Sequence, residues 1–108
     1  MTNMISRQWR GLAKRSHADS YVEHLREDTF PKLGKIPGFV DASILRRNLD
    51  QGVEFLIVTR WSSMKAIEQF TGRDADIAVV PEKVQEMMID YDRTVRHYQV
   101  LDEGEKKA

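Results

Sequence analysis

Apolar residues recur along the chain with two spacings, which together predict four strands and three helical segments. Apolar side chains at every second position predict strands over residues 4–11, 39–47, 53–61 and 92–101. Apolar side chains at every third or fourth position predict helices over residues 16–29, 63–72 and 81–91. The order is β-α-β-β-α-β with the second helix in two pieces. It is typical of an α+β ferredoxin-like sandwich, an antiparallel sheet with both helices on one face.

Residues that begin or end helices support these bounds. Ser16, followed three residues later by an acidic residue, is predicted to cap the first helix. Pro31 is expected to end or kink that helix near residue 29 or 30, because it lacks an N–H and crowds the preceding turn. Ser62 or Ser63 is predicted to cap the second helix, and Gly72 to end it in a left-handed conformation.

The third predicted strand is apolar on both of its faces. Phe55, Ile57 and Trp61 share one face, and Leu56 and Val58 lie on the other. A strand of this kind is covered on both sides, and the predicted helices are enough for only one side of the sheet. A second copy of the chain is therefore expected to cover the other side, in a homodimer.

Composition narrows the class of protein. The chain has 108 residues, 17 Lys and Arg against 17 Asp and Glu, and 41% hydrophobic residues, which predicts one folded domain over residues 1–101 and a polar tail over residues 102–108. A neutral chain is not expected to bind nucleic acid. The absence of Cys excludes thiolate chemistry. No apolar run is long enough for a membrane helix and no signal peptide is apparent, so a cytoplasmic location without membrane contact is expected.

Histidine is the residue type best suited to acid–base work near neutral pH, and the sequence has three. His97, in the last predicted strand, is the candidate general base. His17 and His24 are seven residues apart on one helix, too far apart to share a metal ion, and His24 with Asp28 lacks a third ligand. No metal site is predicted.

Short groups of basic residues are predicted to lie at the surface, among them Arg7 with Arg10. One arginine in a pocket could instead stabilise a substrate anion. Arg60 and Arg46 are the candidates for that role, although their even-numbered positions predict that they face away from Trp61.

Four segments carry a resemblance to a known family. They are Trp61 to Gly72 (WSSMKAIEQFTG), Ile36 to Phe39 (IPGF), Val95 to Val100 (VRHYQV) and Trp9 to Gly11 (WRG). Over about residues 5–101 the chain resembles the antibiotic biosynthesis monooxygenases. The resemblance implies a ferredoxin-like subunit that pairs sheet to sheet as a dimeric α/β barrel, with a pocket between the helices and the sheet of each subunit.

The resemblance also carries expectations about chemistry. Some members oxidise aromatic phenols with O₂ and no cofactor, and Trp61 matches the tryptophan of the family pocket. Trp61 is therefore a candidate pocket donor, next to His97 as base. The predicted substrate-binding residues are Trp9, Phe55, Ile67 and Phe70. Other members degrade haem, but no His lies between Trp61 and Tyr91 to bind its iron, so neither haem nor another cofactor is expected.

Two functions follow from these expectations. The first is a cofactor-independent monooxygenase that acts on a small aromatic or enolic compound with O₂. The alternative is a non-catalytic, dimeric small-ligand-binding or stress-related protein of the same fold. The sequence contains no convergent catalytic triad or metal cluster, which favours the alternative.

Overall fold

The computed structural model describes residues 4–104, and it has the predicted α+β ferredoxin-like fold. Its strands are β1 (Met4–Ala13), β2 (Phe39–Asn48), β3 (Val53–Trp61), β4 (Met88–Tyr91) and β5 (Arg96–Val100). Every strand pair is antiparallel, and the strand order is β2-β3-β1-β4. Strand β5 continues the same edge, because it pairs with residues 4–8 of β1 while β4 pairs with residues 11–13.

Four α-helical segments accompany the sheet. They are α1 (Ala18–His24), α2 (Phe30–Leu33), α3 (Met64–Thr71) and α4 (Glu82–Met87). A π turn over Leu25–Thr29 joins α1 to α2, and within it the N–H of Phe30 donates to the carbonyl of Leu25, five residues back. Among residues 4–104, no helix is long and apolar enough to cross a membrane.

Of the two outcomes predicted at Pro31, the helix does not end there, since α2 continues through it to Leu33, but its regular geometry is interrupted by the π turn just before it. A proline inside an α-helix clashes with the carbonyl four residues earlier. The π turn lies directly before Pro31 and widens the backbone there, so the upstream carbonyls are moved away from the proline ring. The helix therefore passes the proline instead of stopping at it.

The two predicted serine caps have different outcomes. The cap at Ser16 was wrong: α1 begins at Ala18 without a side-chain cap, and the Ser16 hydroxyl lies 3.1 Å from Nδ1 of His17. The cap at Ser63 is confirmed, because its side chain accepts a hydrogen bond of 3.1 Å from the N–H of Ala66. Gly72 ends α3 with a positive φ of 82° as predicted, but its ψ of −161° lies outside the left-handed helical region.

The helix predicted over residues 81–91 is shorter in the structure. Helix α4 ends at Met87, and Met88–Tyr91 form strand β4 instead. The spacing of the apolar residues suits a helix at Val84, Met87, Met88 and Tyr91. The edge of β1 near Ala13 is free to pair, however, and residues 88–91 pair with it as a strand. Pairing with a distant strand thus overrides the local pattern.

A β-bulge near the start of β2 reverses part of the predicted facing. Phe39 pairs with Trp61 and Asp41 with Arg60, which leaves Val40 as the extra residue. Simple alternation along the strand would place Phe39 on the face of Asp41, but its ring packs edge-on against Trp61, with ring centroids 5.2 Å apart. The inserted residue shifts the alternation by one position.

The helices cover one face of the sheet and leave the other face without helices. On the covered face, Phe55 packs with Tyr21 in the larger buried cluster, while Trp61 packs with Ile67 in a second one. The opposite face includes Leu45 and Tyr98, which are 48% and 50% exposed. The predicted covering of that face by a second copy stays a prediction.

Candidate functional site

A cavity of about 240 Å³ lies between the helices and the covered face of the sheet. Residues of β1 and β3 form its floor, and the helix from α1 to α2 forms one wall. Phe70 of α3 and the segment 79–81 complete the lining. The predicted position of a pocket, between helices and sheet within one chain, agrees with this cavity.

Arg7 is a buried charge at the edge of the cavity. It is 6% exposed and belongs to the lining. Its Nη1 donates to the carbonyl of Ala75 and lies 2.9 Å from Nε2 of His97, and its Nη2 donates to the carbonyl of Ile77 at 3.3 Å. The plane of the guanidinium is further supported by the ring of Phe70, 5.8 Å from Cζ.

The prediction that Arg7 lies at the surface was wrong. Burial lowers the pKa of Arg7 to about 10, so the guanidinium remains charged near neutral pH. The sequence contained the signal for this position. Arg7 has the same strand parity as Ile5 and Trp9, which pair with Trp61 and Ile57 on the covered face.

His97 lies behind Arg7 and does not line the cavity. Because a guanidinium can only donate, Nε2 of His97 must accept from Arg7, and its Nδ1 carries the proton toward Asp76 at 3.2 Å. Desolvation and the charge of Arg7 lower the pKa of His97 below its usual value. The imidazole is therefore neutral, and it links Asp76 to Arg7.

Trp61 is fully buried and contacts the cavity only through its neighbours. Its Nε1 donates a hydrogen bond of 2.9 Å to the hydroxyl of Thr59, and its ring stacks on Phe70, with centroids 6.2 Å apart. Thr59 and Phe70 both line the cavity. Since the Thr59 oxygen already accepts from Trp61, its own hydrogen is directed elsewhere.

The remaining predicted substrate-binding residues fall into two groups. Trp9 and Phe70 line the cavity. Phe55 and Ile67 have no exposed surface and pack within the two buried clusters, Phe55 against Tyr21 with ring centroids 4.9 Å apart. The structure thus brings Trp9, Phe70 and the partners of Trp61 to one cavity, and leaves Phe55 and Ile67 outside its lining.

The helical wall contributes polar residues that sequence reasoning did not place in the site. The His24 side chain is 8% exposed, its Nε2 lies 3.9 Å from Asp28, and Asp28 in turn pairs with Lys32 at 3.0 Å. All three residues line the cavity. The available signal was helical spacing, because His24 lies three residues after Tyr21, on the face that packs toward the sheet.

Tyr21 also lines the cavity, with 3% of its surface exposed. Burial raises the pKa of its hydroxyl, so the phenol is neutral near pH 7 and able to donate a hydrogen bond. No residue among 4–104 hydrogen-bonds to this hydroxyl, and no buried polar side-chain atom in that range is left without a partner. The hydroxyl therefore faces the open space of the cavity.

Neither arginine chosen from the sequence lies in the cavity. Arg60 is on the opposite face of the sheet, as its parity predicted, where it forms a two-point ion pair with Asp41. Arg46 was expected on that face too, but it pairs with Phe55 across the ladder and so belongs to the helix side. The bulge in β2 causes this difference, and the Arg46 side chain reaches Asp19 at the surface.

Across residues 4–104, no group of three His, Asp or Glu side chains is close enough to hold a metal ion. The residues that line the cavity offer one buried guanidinium, one imidazole, three hydroxyls, a carboxylate paired with an ammonium group, and an aromatic wall.

Comparison with known families decides the relationship suggested by this geometry. The family model for antibiotic biosynthesis monooxygenases matches residues 4–86. The chain belongs to this family. The matched segment contains β1 to α4, and with them Arg7, Thr59, Trp61 and every helical residue of the cavity wall.

Solved structures share the fold of this family member at low sequence identity. A candidate antibiotic biosynthesis monooxygenase from Bacillus cereus aligns with a TM-score of 0.67 and 20% identity, over 96% of this chain and 99% of that one. SnoaB, a cofactor-independent oxygenase from Streptomyces nogalater, aligns with a TM-score of 0.58 and 14% identity, over 95% and 96%. A conserved protein from Methanosarcina mazei aligns with a TM-score of 0.64 and 12% identity, over 90% and 92%. No curated protein matches the sequence.

Proposed function

We propose that this protein is a cofactor-independent monooxygenase that oxidises a small aromatic or enolic compound with O₂ in the cavity above Arg7 and Thr59. The observation that carries the proposal is the cavity itself. It lies between the sheet and the helices, its walls are mainly apolar, and its lining includes an imidazole and three hydroxyls. Family membership and the similarity to an oxygenase named as cofactor-independent support the same reaction.

The reaction balances without an external reductant. A base removes a proton from an activated C–H, which leaves a resonance-stabilised carbanion or enolate. This anion transfers one electron to O₂, the two radicals combine to a peroxide at carbon, and loss of water leaves a C=O group. One oxygen atom enters the product and the other leaves as water. The substrate supplies all four electrons, so the protein has only to stabilise the anion and exclude bulk water.

Residues of the cavity suit these tasks. We assign the base to His24, because it lines the cavity, whereas His97 reaches it only through Arg7. Thr59 and Tyr21 donate to the developing oxyanion, Thr59 because Trp61 occupies its acceptor side. Trp9 and Phe70 supply aromatic walls for a planar substrate. Trp61 and His97 act as positioning residues.

We also propose that two chains pair through the sheet face that carries no helices. That face holds an apolar row with Leu45 and Leu56 opposite each other across the β2–β3 ladder. Around it lie acidic and basic side chains that pair with each other; Glu54, for example, pairs with Arg10 and Arg47. A surface of balanced charge can meet its own copy without net repulsion. A cytoplasmic location completes the proposal, and subcellular fractionation would check it.

The test of the activity is O₂ consumption with a panel of polyhydroxylated aromatic compounds, followed by mass spectrometry of the product formed under isotopically labelled O₂. One labelled oxygen atom per product molecule is the expected result. His24→Gln is expected to lower kcat by about a hundredfold or more, the usual contribution of a general base. Lys83→Gln, on the exposed side of α4, is the matched control and is expected to keep full activity.

One result would overturn the proposed activity, and another would overturn only the assignment of the base. Tight binding of an aromatic compound that is always recovered unchanged would assign the cavity to the alternative, a non-catalytic ligand-binding protein. Equal kcat in the protein and in His24→Gln would remove His24 as the base, and a loss of kcat in His97→Gln alone would return that role to His97.

A further inference from the structure

The hydrogen-bond donors of Arg7 are only partly used by the protein. Both hydrogens of Nη1 are engaged, one by Ala75 and one by His97, and one hydrogen of Nη2 is engaged by Ile77. Nε and the second hydrogen of Nη2 have no partner among residues 4–104. Nε keeps exposed surface, because no buried polar atom in that range is left without a partner, and Arg7 lines the cavity. The Nε–Nη2 edge is therefore the part of Arg7 that is available to a ligand in the cavity.

The open edge is the one that binds a carboxylate in a two-point contact. Nε and Nη2 present two parallel N–H groups, whose spacing matches the two oxygens of a carboxylate. The same molecule uses this edge elsewhere: Nε and Nη2 of Arg60 hold the two carboxylate oxygens of Asp41. At Arg7 no protein carboxylate takes that place, and none among residues 4–104 forms an ion pair with it.

The charges around the cavity favour an anion at Arg7. Asp28 and Lys32 line the cavity too, but they neutralise each other at 3.0 Å, with side chains 47% and 72% exposed. Asp76 approaches Arg7 only through His97, and its side chain is 83% exposed. The charge of Asp76 acts on Arg7 and partly offsets the effect of burial on its pKa, but no carboxylate in the described residues contacts Arg7 directly. Arg7 is thus a buried positive charge without a directly bound counter-ion, and such a charge is costly.

We propose that the substrate of this cavity is a small aromatic carboxylic acid, held by its carboxylate on the Nε–Nη2 edge of Arg7. The inference rests on the proposed function only where it calls the bound acid a substrate, because the inference itself concerns binding. Phe70 lies beside the guanidinium and Thr59 and Trp9 share the lining, so the carboxylate end faces Arg7 and the ring lies against the aromatic wall. The cavity volume of about 240 Å³ suits one or two rings, below the range of roughly 300–1,000 Å³ for drug-sized ligands.

The test compares naphthoate with naphthamide, which has nearly the same shape and no charge. Binding is measured by calorimetry without O₂, so that turnover plays no part. The protein is expected to bind naphthoate at least about tenfold more tightly than naphthamide. Arg7→Gln is expected to abolish that preference while changing the affinity for naphthamide by less than about threefold. Arg7→Lys keeps the charge but not the two parallel N–H groups, so it is expected to keep only part of the preference.

Arg60→Gln is the matched control, because it removes an equivalent guanidinium edge on the opposite face and is expected to leave the preference unchanged. Arg7 also holds Ala75 and Ile77, so circular dichroism and naphthamide affinity check that the variants are folded. If Arg7→Gln does not fold, the inference is tested by comparing the preference for naphthoate in the unmodified protein with that in Arg7→Lys.

Two results would overturn the inference. The first is that the unmodified protein binds naphthoate no more tightly than naphthamide. The second is that the preference for naphthoate persists in a folded Arg7→Gln variant. The proposed function fails separately. A clear preference for the acid without any O₂-dependent turnover would contradict the oxygenase and keep the carboxylate site. Turnover of neutral compounds without preference for the acid would support the oxygenase and contradict the carboxylate site.

Discussion

The indole N–H of Trp61 and the hydroxyl of Thr59 form a buried hydrogen bond of 2.9 Å, two residues apart on one face of β3. Through this bond Trp61, which does not line the cavity, orients the hydroxyl of Thr59, which does. In the proposed function, Trp61 therefore acts on a ligand through the direction of the Thr59 proton and not through contact with the ligand.

A double-mutant cycle measures this relationship. Trp61→Phe removes the donor and leaves a space in the second buried cluster, so it is expected to cost about 1–3 kcal/mol of unfolding free energy. Thr59→Val removes the acceptor with little change of shape. The coupling energy between the two changes, measured by urea unfolding, is expected to be about 0.5–1.5 kcal/mol. Strict additivity would mean that the bond contributes nothing to stability.

His97 predicts a pH dependence of stability. Its pKa in the native state is lowered by desolvation and by Arg7, below the value of about 6.5 in the unfolded chain. The unfolded chain therefore takes up a proton first as pH falls. The stability that belongs to neutral His97 is complete above about pH 6.5 and is lost as pH falls through the native pKa.

The measurement compares unfolding free energy at about pH 7 and about pH 5. His97→Gln can still accept from Arg7 and donate to Asp76 but does not titrate, so its loss of stability on acidification is expected to be smaller. His17→Gln, in the turn before α1, is expected to keep the loss seen in the unmodified protein. Equal losses in all three proteins would contradict the role given to His97.

Gly11 leaves the space that the Trp9 indole occupies. A Cβ at residue 11 would overlap the ring of Trp9 and lie 3.0 Å from the sulfur of Met88, so Gly11→Ala is expected to displace Trp9 and to cost about 1–3 kcal/mol. At Gly34 the backbone has a helical φ of −61° and a Cβ meets nothing closer than 3.5 Å. Gly34→Ala is therefore expected to be neutral or to stabilise by up to about 1 kcal/mol.

Thermal unfolding and tryptophan fluorescence distinguish the two glycine variants. Gly11→Ala is expected to change the emission of Trp9 and to weaken aromatic ligand binding, because Trp9 lines the cavity. An unchanged spectrum and affinity in Gly11→Ala would show that Trp9 can move without consequence for the site.

The proposed dimer is tested at the centre of the helix-free face. Leu56→Lys places a positive charge beside Leu45 and opposite Arg10, which has the same sign, so it is expected to yield a monomer in sedimentation at micromolar concentration. Lys65→Asp, exposed on α3, changes the charge more strongly but away from that face, and it is expected to remain a dimer. A monomeric unmodified protein would contradict the pairing directly.

Much of the fold was predictable because strand and helix spacings are local. The alternation of Phe55, Ile57 and Trp61 correctly gave the covered face of β3. The bulge at Val40 and the strand at Met88–Tyr91 were not predictable in this way. Both depend on which partner strand is available, and spacing within one segment contains no information about a partner.

The site was less predictable than the fold, and Arg7 and His24 show why. Residue type suggests the surface for a charged side chain, and this expectation outweighed the strand parity of Arg7 with Trp9. Trp61 and His97 were identified by residue type and position, yet the structure places one layer of side chains, Thr59 and Arg7, between them and the cavity. Such layering is a property of packing, which sequence spacing does not describe.

The π turn at Leu25–Thr29 also lets the first helix hold one extra residue between two cores. Leu33 lies twelve residues after Tyr21, so in an uninterrupted α-helix the two would be rotated about 120° apart. The turn absorbs one residue and reduces that angle to about 20°, and both side chains are buried, at 2% and 3% exposure. With one residue fewer, a regular α-helix would give the same angle of about 20°, so Leu33 would still complete its cluster with Trp61 and Ile67. The two cores therefore fix the direction of Leu33 but tolerate two helix lengths, one with the π turn and one without it.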